Sequence, residues 1–410
     1  MMRARLWLLG ALIIFLPLSA WLVSYSGNYL VSLGRDILLG LFLLSSLFTP
    51  SGVEGPNIKR WRKPNAIAWL SFGFIFFTLL SYITKQDSLA EWLRGVRYLI
   101  EPIILLAALQ IDPLPTESLR PLANIFGISV VMVLVASVID YFAPQFWRTT
   151  LHHGGLGFLG QIHLAANLPR LQATLAGPNA LGLFLLIALL LTPVWVKNWP
   201  KWVSVSARIL GLLTLLLTFS RSSYFGLLAG HIFFLTAGRK LIARWRVWLT
   251  AVILVAILAA GTALILKPAQ LTRLDSNATR FEQYQRIWRE RSQIGLTGRG
   301  AGTTGPFSDH SFDNQPTYFS ENTYLDVYEN IGPFGMLTYL AIWVWLIALL
   351  VKQKTLIAIS AAAAAFGLAV AGIFIDHYTG QAALWVTILF AGVAVTRPNP
   401  ENLPLAGAAS

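Results

Sequence analysis

The sequence predicts an all-α polytopic membrane protein, with about twelve transmembrane helices and one long helical loop on the outer face. Three observations predict it. Hydrophobic residues make up 56% of the 410 positions and charged residues only 12%, with a mean hydropathy of +0.63, which is too little polar surface to clothe a soluble globule of this length. Apolar runs long enough, or nearly long enough, to span a bilayer recur along the whole chain. Between them, basic residues fall mainly into alternate loops, as the positive-inside bias requires.

The runs lie at 6–24, 30–48, 66–84, 96–111, 122–142, 180–196, 205–219, 222–237, 247–266, 332–351, 355–375 and 381–396. Arg3 and Arg5 precede the first run in the manner of a signal peptide, but no small-residue cleavage site follows, so it reads as a mature helix. With the N-terminus in the cytoplasm, Lys59, Arg60, Arg62 and Lys63 stay inside. So do Lys197 and Lys201, then Arg239, Lys240, Arg244 and Arg246, then Lys352 and Lys354.

The net charge of +13, which would suggest nucleic acid in a soluble protein, is therefore mostly a topology signal. The absence of cysteine excludes disulfides and thiolate metal sites, and the six histidines show no metal-ligand spacing, so no metal site and no cofactor are expected. Residues 1–396 read as a single integral-membrane domain and 397–410 as a cytoplasmic tail. No solenoid repeat or attached soluble domain is apparent.

Three outer stretches carry arginine against the topological bias: 85–97, 143–179 and 267–325. Cations so placed need another reason to be there, so function is expected on this side, with loops 143–179 and 267–325 forming the site. In the longest loop, Asp275, Ser276 and Asn277 form a helix-start signal before RFEQYQRIWRER (Arg280 to Arg291). On a helix Arg280, Tyr284 and Arg291 share one face, and Arg286 and Arg289 another. GLTGRGAGTTG follows, from Gly295 to Gly305; this glycine-rich turn carries Arg299, could bring backbone N–H groups to an anion, and lacks the Lys-Ser/Thr pair of a P-loop. The loop closes with YFSENTYLDVYENIGPFG, Tyr318 to Gly335. Arg221 lies in LLTFSRSSYFG, where two runs turn back on each other, and PRLQATLAGPNALG sets Arg170 just before the sixth run.

These segments, in this order and spacing, resemble the bacterial O-antigen ligase and polysaccharide polymerase superfamily, over most of the chain from about Pro169. The resemblance implies a GT-C-like membrane glycosyltransferase in the bacterial inner membrane, its active site facing the periplasm or cell exterior. Its expected reaction is inverting and metal-independent, transferring or polymerising glycan from a polyprenyl-diphosphate-linked donor onto an acceptor sugar hydroxyl. Donor, glycan or glycolipid acceptor and bilayer are then the partners, with no nucleic acid. Relatives hold the donor diphosphate with an arginine of the SR motif and one of the long loop, positions matched here by Arg221 and Arg280. Where the ligases carry a histidine before the asparagine of the closing motif, this chain has Glu321 and then Asn322, a departure that points towards a repeat-unit polymerase or another branch.

The expected catalytic residues are thus Glu321, as base for the acceptor hydroxyl, with Arg221 and Arg280 on the diphosphate; guanidinium forks suit phosphate oxygens. Arg286, Arg299, Arg170, Asn322, Tyr324 and His310 are expected to contact substrate. Plainer readings stand beside these: Arg221 snorkelling to headgroups, one of the neighbouring arginines replacing Arg280, Glu321 capping the following helix, His377 as a satisfied interfacial histidine, and Arg94 and Arg97 as anchors. The alternative function is a secondary transporter of an anionic solute, which the lack of an internal repeat disfavours.

Overall fold

The computed structural model describes residues 2–26, 28–47, 65–85, 89–144, 163–164, 168–238, 274–305 and 320–395. The ninth apolar run, His310, the tail and the basic stretches 59–63 and 239–246 lie outside the described residues.

The helices in order are α1 (Met2–Ser26), α2 (Gly34–Leu47), α3 (Ala66–Lys85), α4 (Leu89–Leu99), α5 (Glu101–Ile111), α6 (Leu119–Phe142), α7 (Pro178–Leu190), α8 (Thr192–Trp195), α9 (Lys201–Thr218), α10 (Arg221–Ala237), α11 (Leu274–Arg289), α12 (Arg291–Ile294), α13 (Thr323–Lys352), α14 (Leu356–Ala371) and α15 (Gln381–Val395). Each predicted run other than 247–266 coincides with a helix or a pair of helices. The only strands among the described residues are the antiparallel pair His163–Leu164 and Leu168–Pro169. Five helices, α1, α3, α6, α9 and α13, are long and apolar enough to cross a membrane, and α5, α7, α14 and α15 are shorter apolar helices. The protein is therefore a multi-pass, essentially all-α membrane protein.

Lipid is as apolar as leucine, so helices in a bilayer associate through close packing rather than through expulsion of water. The sequence supplies this with small residues. Gly226 and Gly230 lie four apart on α10, and α14 meets them with Ala363 and Gly367. A Cβ on Gly226 would come within 2.6 Å of the Gly367 carbonyl oxygen, and one on Gly230 within 2.8 Å of that of Ala363. Aromatic contacts seat α13 on α3, with Phe74 against Tyr339 at 5.6 Å and Phe77 against Phe334 at 5.8 Å. Many large apolar side chains, among them Trp69, Phe76, Ile83, Leu337 and Val344, point outward, as expected of a surface solvated by lipid.

Polar contacts mark two ends of the bundle. At one end Arg5 pairs with Asp112 at 2.8 Å, and Asn65 donates to Gln110. At the other, Arg35 pairs with Glu101 at 2.8 Å and Arg97 with Asp36 at 2.7 Å. Arg35 also donates to Gln381 and lies between the rings of Tyr98 and Trp385. Arg97 is thus tied to α2.

At that second end α13 is broken by Gly332 (φ 76°, ψ −178°), which is followed by Pro333. The break separates a polar first section, Thr323 to Ile331, from the apolar span, and it gives the glycine-rich turn a seat, because a Cβ on Gly332 would strike the Leu296 carbonyl. Gly332→Ala is expected to cost at least about 2 kcal/mol, from the positive φ and the overpacking together. Gly40, in α2 with open space around its Cβ position, is the control, and Gly40→Ala should be neutral or stabilising. Thermal unfolding in detergent measures both.

Candidate functional site

The long loop folds onto the start of α13. Asn322 caps that helix, its Oδ1 accepting from the N–H groups of Tyr324 (3.0 Å) and Leu325 (3.1 Å). Its Nδ2 donates to the Ile373 carbonyl at 2.9 Å. Thr323 donates to the Ile375 carbonyl at 3.0 Å and accepts from the His377 N–H at 2.8 Å. Tyr324 donates to the Ala369 carbonyl at 2.7 Å. These bonds dock the turn after α14 against the head of α13, and they occupy the side chains of Asn322 and Tyr324.

Glu321 precedes the cap in a left-handed conformation, φ 48°. A non-glycine residue holds such a conformation only when its surroundings over-determine it. Here Ser320 does so, donating to the Asp326 carboxylate at 2.6 Å and accepting from the Asn322 N–H. The cap is Asn322, so the carboxylate of Glu321 has another use. Arg280 on α11 meets it: Nε donates to Oε2 at 2.6 Å, and Nη2 contacts the same oxygen. Both side chains stay partly exposed, at 22% and 31%.

Arg280 and Glu321, 41 residues apart in sequence, are therefore neighbours. Tyr284, one helical turn beyond Arg280, reaches the same Ile373 carbonyl that Asn322 holds, at 3.4 Å. α10 touches this turn as well, with Phe225 against Phe374 at 5.7 Å. Arg221, one turn before Phe225 on the same face, is half-buried in the first turn of α10. Its position follows from a tight reversal: Phe219 adopts φ 51° at the end of α9, and Gly182 of α7 leaves room for Ser220 and Ser223.

Arg286, Arg299 and Arg170 each have partners within the protein. Arg286 donates to both oxygens of Glu329, at 3.1 and 3.3 Å, and to Glu290 at 3.3 Å. Arg299 pairs with Glu290, and its Nε lies 3.7 Å from Glu329. Two guanidinium groups and two carboxylates thus neutralise one another. Arg170 is buried, donating to the Thr218 carbonyl at 2.8 Å and to Asn179 at 2.9 Å.

The glycine-rich turn turns three of its amides inward. Arg299 N–H donates to the Glu329 carbonyl, and those of Gly300 and Gly302 donate to the main chain and side chain of Asn330. Its glycines serve close approach, Gly298 to Asn330 and Ala301–Gly302 to Gly95 of α4. Arg291 belongs to α12 rather than to the Arg280 face, because the helix breaks at Glu290, and it stacks on Trp288 at 4.7 Å.

His377 is wholly buried. Nε2–H donates to the Leu368 carbonyl at 2.6 Å, which leaves Nδ1 to accept from Tyr339 at 3.2 Å. Burial pushes its pKa down to about 4, so the ring is neutral and satisfied, as its plainer reading expected. Glu329, Thr323 and the carbonyls of Ile373 and Ile375 went unnoticed in the sequence. The signal for Glu329 was present, since a carboxylate beside an apolar run is costly without a partner.

A multi-pass membrane bundle whose loop helix lays an arginine on a carboxylate at one end defines a membrane protein with a polar site at its surface. Residues 206–340, which include Arg221, Arg280 and Glu321, match the family described as O-antigen ligase. The match covers part of the chain and agrees with the resemblance to the O-antigen ligase and polysaccharide polymerase superfamily read from the sequence. None of the curated proteins matches the chain.

Proposed function

We propose that the protein is a GT-C-like, twelve-span glycosyltransferase of the bacterial inner membrane that transfers glycan from a polyprenyl-diphosphate donor to a sugar hydroxyl at the periplasmic face. The pairing of Arg280 with Glu321, within the matched segment, carries this reading. It sets a phosphate-binding group against a proton-accepting group, the two functions such a transfer needs.

In the resting site the guanidinium of Arg280 is spent on Glu321. An arriving diphosphate competes for that guanidinium with more oxygens and more charge. As Arg280 turns to the phosphate, Glu321 is released to accept a proton. The acceptor oxygen then attacks the anomeric carbon, the bond from that carbon to the phosphate oxygen breaks, and the hydroxyl proton passes to Glu321. Arg221 and Arg280 stabilise the charge left on the polyprenyl diphosphate. Arg286, Arg299 and Arg170 belong to the frame in this reading, and Asn322 and Tyr324 set the height of Glu321.

The test is transfer by the purified protein in lipid, given a polyprenyl-diphosphate oligosaccharide with no nucleotide or added metal. A ladder of lengthening lipid-linked glycans identifies a polymerase, and one addition to a supplied acceptor a ligase. An intact donor across several glycans overturns the reading in favour of transport.

A further inference from the structure

We infer that Glu329 is a positioning residue, whose carboxylate, held between Arg286 and Arg299, fixes α11 on α13 in the register that brings Arg280 to Glu321. The catalytic consequence rests on the function proposed above, whereas the positioning does not.

The argument begins with spacing. From Arg280 to Arg286 is six residues of helix, about 9 Å of rise, and from Asn322, beside Glu321, to Glu329 is seven, about 10 Å. The two ion pairs therefore match in separation along both helices and run in the same direction. A single ion pair between two helices leaves each free to pivot about it, and two at matched spacing fix both rotation and translation. The second pair is also the firmer one. Glu329 is fully buried, its partners are only 17% and 21% exposed, and Arg286 spans both of its oxygens.

A buried carboxylate is tolerated only with such partners, since removing one leaves an unpaired charge away from water. Main-chain bonds reinforce the same point. The Glu329 carbonyl accepts from Arg299 N–H at 2.6 Å, and the Asn330 carbonyl accepts from Gly300 N–H at 3.1 Å. Arg280 and Glu321, by contrast, are partly exposed and have no comparable support from the glycine-rich turn. The arrangement separates a firm joint from an adjustable one: Glu329 holds the helix, and the Arg280–Glu321 contact stays able to open for a ligand.

Glu329→Gln is the informative variant, because it removes the buried charge without leaving a buried carboxylate unpaired, and Arg286 and Arg299 keep Glu290. The chain has no cysteine, so spin labels can be placed uniquely through Phe281→Cys on α11 and Leu337→Cys on α13, both exposed positions. In the otherwise unaltered protein in lipid the label-to-label distance should be narrow, and Glu329→Gln should broaden it. Arg286→Lys keeps the charge and loses the two-oxygen contact; it should broaden the distance less and covers the case of a Gln variant that fails to fold.

Transfer is then measured with the same oligosaccharide donor for Glu329→Gln, Arg280→Ala and the double variant. A positioning role predicts a fall of about 10²-fold for Glu329→Gln, and almost no further fall when it is added to Arg280→Ala. A residue that only stabilises the fold would lower the rate by the same factor in both backgrounds. An unchanged distance distribution in both Glu329→Gln and Arg286→Lys, or equal factors in the two backgrounds, overturns the inference. The distance measurement needs no substrate, so a protein that transfers nothing would sink the functional reading while still reporting on Glu329.

Discussion

Glu321→Gln should lower the rate of glycan transfer by about 10²- to 10⁴-fold, the range that loss of a positioned general base produces. The amide has the shape of the carboxylate and still offers Arg280 an oxygen, so the turn Ser320–Glu321–Asn322 and the cap on α13 should survive. What disappears is the ability to take the acceptor's proton. The donor's KM is expected to fall rather than rise, because Arg280, which now donates to Glu321 at 2.6 Å, would no longer be divided between a carboxylate and a diphosphate. A loss of rate with tighter donor binding separates this role from a structural one, which would weaken both. Initial rates against donor concentration, at saturating acceptor, give the two constants. A Gln variant with the parent rate would remove Glu321 as the base and turn attention to His310.

Much of the fold was legible because the bilayer imposes a simple rule: apolar runs of sufficient length become helices, and their ends carry the charges. Run 332–351 shows the limit of that rule. Hydropathy found the span but not its polar N-terminal extension, Thr323 to Ile331, because those nine residues are helical through capping and packing rather than apolar character. Run 96–111 proved to be the end of α4 and all of α5, and Pro102, in the first turn of α5, is the local signal of that break.

At the site, order and spacing identified Arg280 and Glu321 as separate candidates. That they touch is a tertiary fact, since they stand 41 positions apart in the sequence and only the docking of α11 on α13 closes the gap. Arg286 and Arg299 looked equally available in sequence. Their neutralisation by Glu290 and Glu329 depends on which face of α13 is turned to the loop, and the polar section of that helix is too short to reveal it. The glycine-rich turn shows the same difficulty in the main chain. Its composition signals close backbone approach, and the approach is to Asn330 and Gly95, through three amides turned into the protein.

Arg221→Ala should lower kcat/KM by about 10²- to 10³-fold, the cost of removing one donor to a developing anion, with both donor KM and kcat affected. The residue occupies the first turn of α10, where the positive end of the helix dipole already favours an anion. It also lies one turn from Phe225, whose contact with Phe374 joins α10 to the turn held by Tyr284 and Asn322. An arginine that merely snorkels to lipid headgroups would behave differently, because alanine in its place would shift thermal stability or nothing and leave kcat/KM near the parent value. Arg221→Lys divides the two roles further. Lysine keeps the charge and the reach to headgroups, but it gives up the planar fork that grips two phosphate oxygens. If Arg221 holds the leaving diphosphate, the lysine variant should recover much of the donor binding and little of the rate; if it is an anchor, lysine should restore the parent in full. Steady-state kinetics on the Ala and Lys variants, with unfolding midpoints measured alongside, distinguishes a fork aimed at the reacting phosphate from a charge aimed at the membrane surface.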